Sequence, residues 1–103
     1  MPDEEGHPEP EELDLRTVLN AISDPLRWGI VVALLREPEG TPRTCASFNL
    51  PVSKSTTTHH FRTLREAGLV RQVNRGNSRA ATLRRVDLDK RFPGLLDLIR
   101  ANS

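Results

Sequence analysis

The segment between Ser53 and Gly68 constrains the fold most strongly, because it has the features of one helix with both ends defined. Ser53 belongs to the residue types that cap helix N-termini, and Gly68 supplies the left-handed residue at which helices commonly end. One face is spaced by four, three and three residues along the chain: Thr57, Phe61, Leu64 and Ala67. A stripe with this spacing packs against a core. We therefore predict a helix over 54–67 that is buried on one side.

The opposite face of this predicted helix is polar and consists of Lys54, Ser55, Thr58, His59 and Arg62. Ser and Thr are weak helix formers, so their abundance here indicates a surface that serves hydrogen bonding. Such side chains in the N-terminal half of a helix are typical of a recognition helix, which reads base edges in the major groove of DNA. The predicted base-reading residues are Lys54, Ser55, Thr58 and His59. The alternative is a polar face that only meets solvent.

Two helices and a short element are predicted before this segment. Apolar residues at helical spacing begin the first helix at about Leu15. Asp24 caps the second helix, which runs to about Arg36. A short element over 44–49 and a tight connection then lead into the helix over 54–67. A short helix and a tight turn that precede a polar helix form the helix-turn-helix arrangement.

Two β-prone runs follow, over 69–74 and 79–84, and a turn containing Gly and Asn separates them. They predict a hairpin whose tip presents Arg75, Asn77 and Arg79 and can reach phosphates or the minor groove. The predicted backbone and wing contacts are Arg62, Arg65, Arg75, Asn77 and Arg79. The expected fold class is mostly α-helical with a small β-hairpin, in the form of a winged helix-turn-helix.

The formal net charge of +1 conceals a strong asymmetry. Residues 1–14 contain seven acids and no Lys or Arg, whereas the rest contains fifteen basic residues against seven acids, a net charge of +8. A basic excess of this kind suggests a polyanionic partner, although a solvated basic face is the alternative. Residues 1–12, rich in Pro and Glu with little to bury, are predicted to form a disordered acidic tail. The folded domain is then 13–103.

Two apolar stripes predict that the domain pairs with a second copy of itself. They consist of Leu15, Val18, Leu19 and Ile22 on the first helix, and of Leu95, Leu96, Leu98 and Ile99 near the C-terminus. A domain of this size has little core to cover both, and burial against the same surfaces of a second chain gives a two-fold interface. The alternative is that the C-terminal stripe folds back over its own domain.

Three motifs make this layout specific: Ser-Asp-Pro-x-Arg at 23–27, Ser-x-Ser-x-x-x-His-His at 53–60 and Leu-Arg-Glu-Ala-Gly-Leu-Val at 64–70. Over residues 19–79 the chain resembles the ArsR/SmtB family of bacterial winged-helix repressors. The resemblance implies a homodimer that is built from the N- and C-terminal helices and binds an inverted repeat in an operator. It also implies that base contacts fall on the four residues predicted from the polar face.

Metal-sensing members of that family have a Cys-x-Cys or similar cluster on the short third helix, or Asp and His ligands on the last helix. Here the 44–49 element contains Cys45 alone, and the last helical region has neither His nor Cys. His59 and His60 are adjacent and lack the i, i+4 spacing that places two imidazoles on one metal. No metal site and no cofactor are predicted. Cys45 is expected to be a small buried residue.

The sequence predicts a regulator and no enzyme, because it has no Ser-His-Asp set, no phosphate-binding glycine loop and no paired carboxylates in a plausible cleft. It has no apolar stretch of membrane-spanning length and no signal-peptide layout, which predicts a cytoplasmic protein. We expect a repressor that binds double-stranded DNA as a homodimer, with its inducer left open. The alternatives are a winged-helix protein-interaction module and a regulator released by a small ligand or by thiol chemistry at Cys45.

Overall fold

Five α-helices and three short β-strands make up the chain, and the computed structural model describes every residue from 1 to 103. The helices are α1 (Leu15–Ile22), α2 (Pro25–Arg36), α3 (Lys54–Ala67), α4 (Arg85–Arg91) and α5 (Leu95–Ala101). The strands are β1 (Arg43–Thr44), β2 (Val70–Asn74) and β3 (Arg79–Leu83), and 3-10 turns cover Pro10–Glu12 and Cys45–Phe48. This order confirms the predicted winged helix-turn-helix, mostly helical with a small hairpin.

α1 and α2 meet at a bend of 102° that Asp24 organises. Its carboxylate accepts hydrogen bonds from the backbone N–H groups of Leu26 and Arg27, which confirms it as the cap of α2. Pro25 occupies the first helical position, where no N–H is needed. No single helix is long and apolar enough to cross a membrane, and α1 and α2 meet that test only as a bent pair.

Both ends of α3 lie where the sequence predicted them. At its start, the hydroxyl of Ser53 accepts a hydrogen bond from the backbone N–H of Thr56 at 3.1 Å. At its end, Gly68 adopts a φ of 89°, and the N–H of Leu69 donates to the carbonyl of Leu64 at 3.0 Å. This geometry satisfies the last carbonyls of the helix and reverses the chain directly into β2.

The apolar side of α3 lies at the centre of the core. Three of its four predicted residues, Phe61, Leu64 and Ala67, are buried, whereas Thr57 is only partly buried. The neighbouring elements contribute Val18, Ala21, Ile30, Val31, Leu34, Leu69, Val70 and Ala81. Burial of one large apolar side chain contributes about 1.5–3 kcal/mol, so this stripe holds α3 firmly on the rest of the domain.

β2 and β3 form the predicted hairpin, in which Gln72 lies opposite Ala81. β1 pairs with the other side of β3 and gives a sheet of order β1-β3-β2. This strand was not predicted, because two residues are too few to show an alternating pattern. β2 is therefore an edge strand, and its outer side faces the N-terminal segment of the chain.

The first twelve residues differ from the disordered tail that their composition predicted. The side chain of His7 is only 4% exposed, and its Nε2 accepts a hydrogen bond from the backbone N–H of Gln72. The carbonyl of Pro8 accepts a hydrogen bond from Arg84, and the adjoining Leu13 is buried in the core. Composition averages over a segment, whereas a few well-placed anchors are enough to hold it against the domain.

Half of the residues expected at a dimer interface lie in the core of their own chain: Val18, Ile22, Leu96 and Ile99. They are buried because α1 packs on α2 and α3, and because α5 packs on α2 and α4. The C-terminal stripe thus follows, in part, the alternative in which it covers its own domain. The other half remain accessible: Leu15, Leu19 and Leu98 are exposed, and Leu95 is partly buried.

Replacement of Gly68 by alanine is expected to destabilise the fold by roughly 2–5 kcal/mol. The positive φ disfavours a side chain by about 1–2 kcal/mol. The new Cβ would also overlap the side chain of Leu13, and such overpacking costs about 1–3 kcal/mol. Gly40→Ala is the matched control, because Gly40 has a φ of 81° and open space around it. The free energy of unfolding is measured by urea denaturation. Equal decreases for the two variants would show that Leu13 does not pack on this turn.

Candidate nucleic-acid interface

A groove of about 590 Å³ opens between α3 and the hairpin of β2 and β3. Residues of α3 line one side, residues from Gln72 to Arg79 line the other, and residues 44–46 complete the lining. We call this feature the α3–wing groove. It separates the two elements that the sequence predicted to contact DNA.

Basic side chains line both sides of the α3–wing groove. Lys54 and Arg62 belong to α3, and Arg79 lies across the groove on β3. All three are exposed, as is Arg75 in the hairpin turn, and none of the four takes part in an ion pair. Their positive charge is therefore available to an anionic partner.

The polar face of α3 is fully presented to solvent, since Lys54, Ser55, Thr58 and His59 are all exposed. Thr58 donates its hydroxyl proton to the carbonyl of Lys54 at 3.0 Å, so its oxygen is left as an acceptor. An acceptor at this place suits an exposed amino group, such as adenine N6 or cytosine N4 in the major groove.

The tip of the hairpin has a defined backbone. The N–H of Arg75 donates to the carbonyl of Ser78 at 2.8 Å, and the side-chain oxygen of Asn74 accepts from the N–H of Gly76 at 3.1 Å. These bonds hold the turn while the predicted wing residues Arg75, Asn77 and Arg79 remain exposed. The structure therefore brings the predicted wing residues together at one tip, next to the groove.

Arg65 differs from the other predicted backbone contacts because it is partly buried. One terminal nitrogen of its guanidinium donates to the side-chain oxygen of Gln72, and its Nε is covered without a hydrogen-bond partner. Gln72 was not predicted as a functional residue, although it is only 4% exposed. The sequence offered one signal for Gln72: a polar amide side chain at a position of the predicted strand that faces inward.

The Ser-Asp-Pro-x-Arg motif braces α3 from behind. Arg27 donates through Nε to the carbonyl of Ala21 at 2.6 Å, and through a terminal nitrogen to Nδ1 of the buried His60 at 3.0 Å. Hydrogen bonds from the backbone N–H of Arg27, aided by its guanidinium charge, hold the pKa of Asp24 below its usual range. The corner between α1 and α2 thereby contacts α3 through His60, on the side away from its polar face.

Cys45 is half-buried in the lining of the groove, where its sulfur accepts a hydrogen bond from the amide of Gln72 at 3.5 Å. Burial raises the pKa of the Cys45 thiol. No group of three or more His, Cys, Asp or Glu side chains is placed to hold a metal ion. In the groove, Cys45 thus packs beside Gln72 and accepts a hydrogen bond from its side chain.

Comparisons with known proteins agree with this geometry. Residues 24–72 match the family model described as "Bacterial regulatory protein, arsR family". The matched stretch begins at Asp24, includes α3 and ends at Gln72. No curated protein sequence matches the chain.

Solved structures extend the similarity beyond the matched stretch. An ArsR-like transcriptional regulator from Rhodococcus sp. RHA1 is 29% identical, with a TM-score of 0.60 over 85% of this chain and 80% of that one. A second structure, of an ArsR family transcriptional regulator, shares the fold at 19% identity, with a TM-score of 0.64 over 74% of this chain and 81% of that one. The matched segment and the shared fold support the resemblance seen in the sequence: residues 24–72 are similar to the arsR family of bacterial regulatory proteins, and the chain has the winged helix-turn-helix fold of the two solved structures.

Proposed function

We propose that this protein is a cytoplasmic repressor that binds an inverted-repeat operator in double-stranded DNA as a homodimer. The observation that carries the proposal is the set of unpaired cations on both sides of the α3–wing groove, next to the polar face of α3. Duplex DNA is a dense polyanion, and neutralisation of its phosphates supplies most of the non-specific affinity of a binding protein.

The proposed contacts divide into two classes. Lys54, Ser55, Thr58 and His59 on the exposed face of α3 read base edges in the major groove. Arg62, Arg65, Arg75, Asn77 and Arg79 contact phosphates or the minor groove and position the protein. Occupation of an operator by two such domains would block access of the transcription machinery to the same DNA.

Two alternatives are less well supported by the groove. A protein-interaction module would not require unpaired cations beside a recognition helix. A small-ligand pocket is typically lined by apolar side chains, whereas most residues that line the α3–wing groove are polar or charged.

The proposed dimer uses the apolar residues that the fold leaves accessible: Leu15, Leu19, Leu95 and Leu98. Two-fold pairing through these residues would place two α3 helices one turn of DNA apart, at about 34–36 Å. An operator with two inverted half-sites would then match the symmetry of the protein.

Thr58→Ala is expected to weaken operator binding by roughly 5- to 150-fold, since a lost base contact costs about 1–3 kcal/mol. Binding to a scrambled duplex should change little. Arg75→Ala should weaken both duplexes alike, because a phosphate contact carries no sequence information. Thr56→Ala, an exposed residue off the polar face, is the matched control. Fluorescence anisotropy measures the affinity of the wild type and the three variants, with an operator selected from a random pool.

Equal losses of Thr58→Ala on operator and scrambled DNA would contradict the assignment of α3 as the base-reading element. The salt dependence tests the wider proposal. With about 6–10 phosphate contacts per dimer, affinity should fall about 10³–10⁵-fold between 50 and 200 mM salt. A flat salt profile, or no duplex binding, would favour the interaction module.

Leu98→Asp is expected to convert the dimer into a monomer, because it places a charge in a buried apolar interface. Sedimentation velocity at micromolar concentration measures the change. Val86→Asp is the control, since Val86 is also exposed but lies outside both stripes. Ile99→Asp would not serve, because Ile99 is 2% exposed in the core of its own chain. A wild-type monomer, or equal dissociation of the Val86 variant, would refute this interface.

Cys45 is expected to react slowly with iodoacetamide in the folded protein at about pH 8. A raised thiol pKa means less thiolate at a given pH, and the thiolate is the reactive form. The same chain unfolded in urea is the reference. The reaction should accelerate at a higher pH in the folded protein than in the unfolded one. Equal alkylation rates in the folded and the unfolded chain would favour the alternative in which thiol chemistry at Cys45 releases the regulator.

A further inference from the structure

The N-terminal segment closes the open edge of the wing sheet. β2 is an edge strand, and the backbone N–H of Gln72 points away from β3. That N–H donates to Nε2 of His7 at 3.0 Å. A buried N–H without a partner is costly, and an uncovered strand edge is open to pairing with other chains. A single imidazole therefore supplies the acceptor that this part of the sheet needs.

The contacts of His7 define one neutral form of its ring. Because Nε2 accepts from Gln72, the proton of the neutral ring lies on Nδ1, which donates to the carboxylate of Asp3 at 2.9 Å. A neutral imidazole has one donor and one acceptor, and here both are used. A protonated ring would present N–H at Nε2, directly opposite the N–H of Gln72. The closed arrangement thus requires that His7 is uncharged.

The charges around His7 do not compensate for the opposition of two N–H groups, one of a protonated His7 and one of Gln72. Asp3 and Glu5 lie 2.9 and 3.8 Å from Nδ1, but they belong to the same segment and would leave the domain together with His7. A hydrogen bond from the backbone N–H of His7 is the main cause that lowers the pKa of Asp3, so this carboxylate stays ionised in mild acid. Its attraction for a protonated His7 is therefore retained after release.

The charged groups of the domain that face the segment are Arg65 and Glu66 of α3, beside Gly6, and Arg84, which binds Pro8 and pairs with Asp87. The only charged side chain of β2, Arg71, alternates to the other face from Gln72. Arg91 of α4 donates to the carbonyl of Leu13, where the segment ends. Three cations and two carboxylates of the domain therefore face the segment, in addition to Asp3 and Glu5 within it.

Gln72 connects this contact to the α3–wing groove. Its backbone binds His7, and its side chain accepts from Arg65 and donates to Cys45. Gly6 lies next to the same guanidinium, since a Cβ on Gly6 would be 3.8 Å from Nε of Arg65. Arg65, a proposed phosphate contact, is thus held between the N-terminal segment and the wing.

We propose that residues 3–8 form a latch that is closed while His7 is neutral and opens when His7 is protonated, and that opening weakens operator binding. The second part rests on the proposed function. Two effects act in the same direction: Arg65 loses the packing against Gly6, and an acidic segment is freed to compete with DNA for the basic groove. The neutral ring of His7 thus corresponds to the closed latch, and the protonated ring corresponds to the open one.

The latch itself is tested without DNA, by ¹⁵N heteronuclear NOEs of residues 3–7 in the full chain at about pH 8 and about pH 5.5. The wild type should be ordered at the higher pH and mobile at the lower one. His7→Gln should stay ordered at both, because an uncharged amide keeps one donor and one acceptor. His7→Ala should be mobile at both. An ordered segment in the wild type after the ring signals of His7 report protonation would overturn the latch.

The coupling to DNA is tested by the ratio of the dissociation constants of the wild type and His7→Gln on the same operator. All other histidines are common to both proteins, so their titration cancels. The ratio should be close to one at about pH 8, and at about pH 5.5 the wild type should bind about 3- to 10-fold more weakly, the equivalent of one lost hydrogen bond. A constant ratio together with an open latch would refute the coupling. Absence of DNA binding in both proteins would contradict the proposed function, whereas the NOEs would still decide the latch.

Discussion

The left-handed turn at Gly68 is the constraint on which the functional surface depends. It ends α3 and sends the chain straight into β2, so that Leu69 and Val70 enter the core at once. Helix α3 and the wing are therefore the two arms of one chain reversal, and the groove lies between them. Leu13 packs over this turn, which joins the N-terminal segment to the same point.

Two further contacts fix the orientation of α3. Its inner face is held by Phe61 and Leu64 in the core, and its back is tied by His60 to Arg27 at the corner of α1 and α2. The outer face has no partner in the domain. This division explains how a helix with many Ser and Thr residues, which form helices poorly, is nevertheless rigid enough to present them in a defined array.

The charge of the molecule is divided in a similar way. Lys54, Arg62, Arg75 and Arg79 are left without carboxylate partners around the groove. Asp3 and Glu5 of the N-terminal segment are instead held at the outer edge of the wing sheet through His7. A segment with this composition would compete with DNA if it were free, so its anchoring and the availability of the groove are physically linked.

Local signals made much of this fold predictable from the sequence. The caps at Asp24 and Ser53 and the glycine at 68 have steric and hydrogen-bonding preferences that depend on few neighbours. The polar face of α3 could be predicted because the period of a helix places its residues together. Long-range contacts could not: β1 is too short for a pattern, and Gln72 acquires its role only through Arg65 and His7.

The apolar residues at the two ends of the chain show the same limit. Helical spacing predicted that these residues are buried. It could not distinguish burial in the core of the same chain from burial against a second chain. Val18 and Ile99 belong to the first kind because of how α1 and α5 pack, which depends on the whole fold. Leu19 and Leu98 have the same chemistry and remain exposed.

Titration of the ¹⁵N-labelled protein with a selected operator duplex tests the central claim, that the α3–wing groove is the DNA-binding surface, most directly. The account predicts that the largest amide shift changes fall on residues 54–62 and on the hairpin tip at 75–79, with α4 and α5 little affected outside the dimer contact. Changes centred on α4 and α5, or none on α3 at saturation, would contradict it.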